Sequence, residues 1–260
     1  MDDSLFDKLR EMSGNFPERL NILEEQIDVK LQLEYFKFSK KVKDGKIDGL
    51  DFDIDDFSGF DSEGLSVDDK KYILVKLAGI DDPKAYRIIE EYQKHAPKEL
   101  KNWATLALQE SKMLLESLLL DENQIFISTG LGGKGNMLRY FVVLIGENID
   151  EFTEFHQKII SSEFEFALKK DGCELEKIEY QDNYATLLVL IPFEVPFQNV
   201  FRSALEECNQ YGNFVKPNFL VTNVKPLSIN EIKAFVEKNE LPDKEDYNGI
   251  EFNPIDDDEE

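Results

Sequence analysis

A glycine-rich turn, TGLGGKGNM, is the segment of this chain that comes closest to a ligand-binding loop in composition. Its glycines leave backbone N–H groups accessible, and Lys134 and Arg139 add positive charge. Phosphate-binding loops of this kind run from a strand into a helix N-terminus. This turn runs into the apolar strand sequence LRYFVVLIG, and neither GxGxxG nor GK[ST] is present. We predict a hairpin loop. The alternative is a mobile binding loop made by Gly132, Gly133, Lys134, Gly135 and Arg139.

Acidic residues between positions 44 and 55 are spaced superficially like a calcium-binding loop. With Asp44 first, Asp48 falls at the fifth position and Asp55 at the twelfth. Lys46 occupies the third position, where an EF-hand needs an oxygen ligand. Because a lysine inside a cation site opposes binding, we expect no calcium here.

Histidine and cysteine show no catalytic or metal-binding spacing. Neither His95 nor His156 has a histidine four residues away, Cys173 and Cys208 form no CxxC pair, and HExxH and GxSxG are absent. Carboxylates are too frequent for one pair to stand out as a general acid and base. We therefore expect no catalytic residue, metal or cofactor, and we expect the cysteines to be reduced, buried thiols of a cytoplasmic protein.

The strongest signal in the sequence is electrostatic. Asp and Glu total 54 against 30 Lys and Arg, for a net charge of -24. Nine carboxylates and no Lys or Arg lie between Asp48 and Asp69, and the sequence ends IDDDEE. Such a surface is repelled by phosphate backbones and anionic membranes and attracted to basic surfaces. We expect a basic protein partner, no direct nucleic-acid binding and no membrane binding.

Phenylalanines alternate with these acids, and glycines interrupt any helix, so we predict a long acidic loop over residues 44–65. Two interpretations remain open. Either the phenylalanines pack against the flanking helices, or the loop is an acidic, aromatic motif that docks on a partner. In the second interpretation the partner-binding residues are Asp51, Phe52, Asp53, Asp55, Asp56, Phe57 and Phe60.

Apart from that loop, residues 1–120 are predicted to form a helical module. A first helix is expected from Pro17 into the basic cluster KFSKKVKDGK, where Gly45 is placed to stop it. Ser66 is a typical N-cap, and Pro83 and Pro97 suit the first turns of two further helices. Short connections favour antiparallel neighbours. Within residues 66–120, the sequence DPKAYRIIEEYQKHAPKELKNWATLALQES resembles a HEAT-type helical repeat. The resemblance implies a packing module that grips other proteins.

Residues 121–240 are predicted to form an α+β domain. RYFVVLIG and TLLVLIPF are continuous apolar runs, typical of central strands, whereas CELEKIEYQ alternates like an edge strand. Without the first strand, QIFISTG, the order is βαββαβ, the ferredoxin-like arrangement. We expect QIFISTG to pair with LRYFVVLIG as an added strand, and residues 241–260 to form an acidic tail.

These expectations favour a non-enzymatic acidic adaptor that binds a basic protein surface. The alternative is a small-ligand sensor, or an enzyme without a local motif, that uses a pocket beside the glycine-rich loop at residues 130–136.

Overall fold

The computed structural model describes residues 20–47, 49–50, 52–55, 57, 59–60, 64–120, 125–238 and 250–253. The fold is α+β, and the chain divides into two compact units. The helical unit contains Ile27–Phe126, and the sheet unit contains Ile22–Gln26 and the described residues from Ile127 onward. The division therefore falls six residues beyond the predicted boundary at residue 120, and a short segment before the first helix belongs with the sheet.

The predicted first helix is wrong at its start. Leu20–Ile22 form strand β1, which pairs with β2 (Ile125–Ile127) in a two-stranded sheet. Helix α1 spans Val29–Lys43, because the Asp28 side chain accepts hydrogen bonds from the backbone N–H groups of Lys30 and Leu31 and caps it there.

Three further helices complete the helical unit: α2 (Val67–Ala78), α3 (Pro83–His95) and α4 (Lys98–Leu120). Ser66 and Asp69 form a capping box at α2, and Asp82 caps α3 with Pro83 in its first turn. Helix α4 is the common support, since α1, α2 and α3 all pack against it. Its fully buried Trp103 donates from Nε1 to the carbonyl oxygen of Lys71 at 3.2 Å.

A nearly buried carboxylate, Glu110 on α4, connects α4 to α1. It accepts hydrogen bonds from the Tyr35 hydroxyl at 2.6 Å and the Ser39 hydroxyl at 2.9 Å, and it pairs with Lys43 Nζ at 2.6 Å. Tyr35 is fully buried. Burial and the Glu110 charge raise the pKa of Tyr35 well above its usual value, so its hydroxyl remains a proton donor.

The sheet unit has an antiparallel sheet in the order β5-β6-β4-β7-β8. The apolar runs form its interior strands β4 (Met137–Gly146) and β6 (Tyr184–Pro192), as predicted, and β5 (Glu174–Gln181) lies at one edge. Strand β7 is Val215–Thr222. The added strand was predicted wrongly: QIFISTG contributes β2, which pairs with β1, and β4 pairs instead with the two-residue β3 (Gly133–Lys134).

Helices cover both faces of this sheet. On one face, α5 (Glu154–Lys170) and α6 (Phe197–Asn209) pack against inward residues of β4 and β6, such as Val142 and Leu187. On the other face, α7 (Ile229–Lys238) packs its Ile232 near Phe141 and Val143 of β4. No described helix is long and apolar enough to cross a membrane.

Strand β8 (Ile250–Asn253) comes from the region predicted as an acidic tail. It pairs antiparallel with β7, with Phe252 opposite Leu220. The final acidic run, residues 256–260, lies outside the described residues.

We predict that Glu110→Ala lowers the free energy of unfolding by about 3 kcal/mol, because it leaves the buried Tyr35 hydroxyl without its acceptor. Tyr35→Phe should cost only about 1 kcal/mol, since Glu110 keeps two other donors. Urea denaturation followed by circular dichroism measures both. The exposed Glu91→Ala is the control and should change stability by less than about 0.5 kcal/mol. A Glu110→Ala variant as stable as this control would show that the carboxylate is dispensable.

Candidate functional site

Aromatic side chains hold the acidic loop against the helical unit. Phe60 is only 4% exposed and stacks on Tyr92 of α3 with ring centroids 4.0 Å apart. Phe57 packs edge-on against Phe60 at 5.3 Å, and Phe52 lies 5.3 Å from Phe57. This chain of rings matches the first interpretation of the loop, in which the phenylalanines pack internally, and it fixes the backbone that carries the neighbouring acids.

The described acids of the loop point into solvent. Asp53 is exposed and accepts a hydrogen bond from the backbone N–H of Asp55 at 2.8 Å. Asp55 has a 79% exposed side chain and pairs with Lys84 Nζ at 2.6 Å. Such an exposed pair contributes little to stability, so its carboxylate remains available to other cations. Asp51 and Asp56 lie outside the described residues.

The glycine-rich loop is tightly packed. A Cβ at Gly130 would lie 1.8 Å from the carbonyl oxygen of Val224. Gly132 has a φ of 69°, and a Cβ there would lie 2.3 Å from the carbonyl oxygen of Glu24. The N–H of Gly133 donates to that same carbonyl at 3.2 Å, and the N–H of Gly135 donates to the Glu24 carboxylate at 2.9 Å. Glycine is required here by close backbone approach.

A hairpin is present within the glycine-rich turn, but it joins the two-residue β3 to β4, whereas the sequence predicted one between QIFISTG and LRYFVVLIG. Gly135 and Asn136 are the two residues between β3 and β4, and Gly135 has a φ of 59°. A positive φ at the first of two central residues is typical of a type II′ turn.

Both cationic side chains of the loop form ion pairs with glutamates of the sheet unit. Lys134 pairs with Glu174 at 2.7 Å. Arg139 is 19% exposed, binds Glu176 through Nε at 2.5 Å and Nη2 at 2.9 Å, and donates from Nη1 to the carbonyl oxygen of Leu131 at 2.8 Å. The bidentate ion pair fixes the guanidinium, and its third bond holds the loop. In this structure the loop is a braced hairpin.

We predict that Gly130→Ala costs about 3 kcal/mol or more, because the added methyl group meets backbone and cannot be accommodated by a side-chain movement. Gly135→Ala is the matched control. No atom lies within 4 Å of the position that its added methyl group would occupy, so only the positive φ is penalised, by about 1 kcal/mol. Thermal unfolding monitored by circular dichroism distinguishes the two variants. Equal stabilities would show that the loop is loosely packed.

A groove of about 560 Å³ is lined by residues of α5 and α6 and by Val195 and Pro196, which precede α6. The lining includes the small residues Ala167, Ser203 and Ala204, and it includes Phe166, which is 70% exposed. None of the residues that line this groove comes from the described part of the glycine-rich loop. The pocket predicted beside that loop is therefore not this groove.

The groove has an acidic lining. Glu163, Asp171 and Glu207 contribute carboxylates, and Lys170 is the single cationic residue among the lining residues. No described Lys or Arg forms a salt bridge with any of the three acids. Glu207 accepts one hydrogen bond, from Gln210 at 2.8 Å. The groove lining thus combines small and apolar residues with a net negative charge.

The two cysteines are free and buried in the core beneath α5 and α6. Burial raises the pKa of Cys173 to about 11, with a smaller contribution from Asp171. Burial raises the pKa of Cys208 to about 12, and the charge of Glu163 adds to the effect. Neither thiol is activated as a nucleophile. No cluster of three metal-binding side chains occurs within the described residues.

We predict slow alkylation of both thiols in the folded protein, because their raised pKa values leave almost no thiolate at pH 8. Mass spectrometry after iodoacetamide treatment should find unmodified protein in buffer and two modifications in 6 M guanidinium. Rapid modification of Cys208 under native conditions would contradict its burial.

Sequence reasoning missed the groove. Its residues carry no motif, and its shape depends on how closely α5 and α6 approach. The available signal was weak: Phe166 occupies an outward position of a helix whose inward positions hold Ile159, Ile160 and Phe164.

Comparison with known proteins adds little. No protein-family model matches the chain, and no curated protein matches it. Among solved structures, part of the chain resembles a chain described as a putative transposase from Deinococcus radiodurans R1, with a TM-score of 0.35 and 13% sequence identity. That resemblance covers 42% of this chain and 95% of the other. At this level of similarity the resemblance supports no inference about activity.

Proposed function

We propose that this protein is a non-enzymatic acidic adaptor that binds a basic surface of a partner protein. The observation that carries the proposal is the acidic loop, in which exposed Asp53 and Asp55 are attached to a backbone held by the rings of Phe52, Phe57 and Phe60. Because these rings pack internally, the partner-binding role falls mainly to the aspartates.

A fixed backbone favours binding. A loop that is already ordered loses less conformational freedom when it meets a partner. Clustered carboxylates also attract Lys and Arg over a distance set by salt screening, about 8 Å at physiological ionic strength. The net charge of -24 opposes nucleic acid and anionic membranes as partners.

The proposal extends to the architecture. We infer that the sheet unit is ferredoxin-like, supported by the antiparallel strand order β5-β6-β4-β7 with α5 and α6 on one face. We infer that α2, α3 and α4 act as a HEAT-like packing module, supported by their shared packing. Two free, buried thiols favour a cytoplasmic location.

We predict that neutralising the loop reduces partner recovery at least about fivefold, because four acids are lost from one short segment of the chain. The experiment is an affinity pulldown from native lysate at about 0.1 M salt, quantified by mass spectrometry, and repeated at about 0.5 M salt, where screening should abolish recovery. The loop variant carries Asp51→Asn, Asp53→Asn, Asp55→Asn and Asp56→Asn.

A charge-matched control distinguishes the loss of these particular loop acids from the loss of total negative charge. It changes four exposed acids elsewhere on the helical unit: Glu34→Gln, Asp81→Asn, Glu91→Gln and Glu99→Gln. Basic proteins retained by this control and lost by the loop variant support the proposal. Equal losses from both variants would assign the effect to total charge, and full recovery by the loop variant would refute the proposal. A chain lacking residues 256–260 tests the terminal acids in the same way.

A further inference from the structure

The groove between α5 and α6 has features of a peptide-binding surface. Its lining extends from Glu163 to Lys170 on α5 and from Asn199 to Glu207 on α6. At 1.5 Å rise per residue these spans are about 11 Å and about 12 Å, or roughly two helical turns. The small residues Ala167, Ser203 and Ala204 between them let the side chains of another helix approach closely.

Two exposed aromatic rings project from α5, and one of them, Phe166, lines the groove. Phe166 is 70% exposed and Phe155 is 59% exposed. The two residues lie about three turns apart on α5, so they project from the same side of the helix. Large apolar side chains exposed together in this way mark interaction surfaces more often than isolated ones do.

Charge identifies the kind of occupant. Several exposed acids elsewhere in the sheet unit are paired internally, as Glu174 is with Lys134 and Asp182 is with Lys233. The groove acids Glu163, Asp171 and Glu207 have no such cationic partner among the described residues. The charge of Lys170 offsets only one of their three negative charges. An occupant with two or more cations beside an apolar face complements this lining.

We propose that the α5–α6 groove is a second docking site, which binds a short amphipathic helix of a partner protein with Lys or Arg flanking its apolar face. The site rests on the proposed adaptor function, but it lies on the sheet unit and uses none of the loop residues. Apolar side chains of the helix contact Ala167, Phe166 and the small Ser203, and its cations contact Glu163 and Glu207. This is the helix-in-groove mode of recognition.

The test uses a defined probe and the full chain. The probe is a fluorescein-labelled peptide of about 15 residues with Leu at helical i, i+3, i+4 and i+7 spacing and Lys or Arg at flanking positions. Its affinity is measured by fluorescence anisotropy at about 0.1 M salt, beside a scrambled peptide of the same composition. We expect the amphipathic peptide to bind at least about tenfold tighter than the scrambled one, because only it presents apolar and basic faces together.

Two pairs of variants locate the binding. Ser203→Trp fills the groove and should weaken binding at least about tenfold, whereas Ser162→Trp, at an exposed position outside the lining, should change it less than about twofold. Glu163→Gln with Glu207→Gln preserves the groove's shape and should weaken binding about fivefold. The control, Glu165→Gln with Glu206→Gln, makes the same charge change at neighbouring exposed positions.

Several results would overturn the site. These are equal affinities for the two peptides, absence of binding to the intact chain, or equal losses from the groove variants and their controls. The Asp51, Asp53, Asp55 and Asp56 variant separates this outcome from failure of the adaptor proposal. It should bind the peptide as the intact chain does, so the loop and the groove are judged by independent measurements.

Discussion

The sheet unit depends on one constraint: strand β4 is enclosed by a neighbouring strand at each edge and by packed side chains on each face. The strand pairs with β6 along one edge and with β7 along the other, and its side chains enter the cores on both faces of the sheet. A strand with no solvated face must be apolar throughout, as LRYFVVLIG nearly is. Carboxylates are therefore excluded from the centre of this unit and accumulate on helix surfaces, edge strands and loops.

The distribution of cations follows from the same constraint. Arg139, near the start of β4, is too buried to remain unpaired, and the bidentate contact with Glu176 supplies its partner. Lys134 and Lys233 hold other acids of the sheet unit. Because acids exceed cations by 24 overall, such pairing cannot extend to every carboxylate. The unpaired remainder gives the protein a negatively charged surface, whose self-repulsion falls when cations approach.

Long apolar runs and a helix cap were informative in the sequence, and very short strands were not. The apolar runs identified β4 and β6 as interior strands, and alternation in CELEKIEYQ identified β5 as an edge. The cap at Ser66 was predictable because it satisfies helix N–H groups locally, and the helix start at Pro83 was predictable because proline suits a first turn. The three-residue β1 and β2 could not be paired from sequence, since so short a strand has no register pattern of its own. The α5–α6 groove arises from tertiary packing, which local sequence patterns do not encode.

The order of segments along the chain has a consequence for biosynthesis. Residues 22–26 belong to the sheet unit, yet they precede the segment Ile27–Phe126 of the helical unit, and Leu23 N–H donates to the carbonyl oxygen of Ile127 at 2.9 Å. The segment Ile27–Phe126 is therefore an insertion between two parts of the sheet unit that meet at this hydrogen bond. A ribosome must finish about one hundred residues of insert before Glu24 can find Gly133, so the insert is able to fold while the host unit waits. The entropy of closing so long a loop is smaller once the insert is compact, because a folded insert brings its own ends together. Folding order is thus built into this topology, with the insert first and its host second.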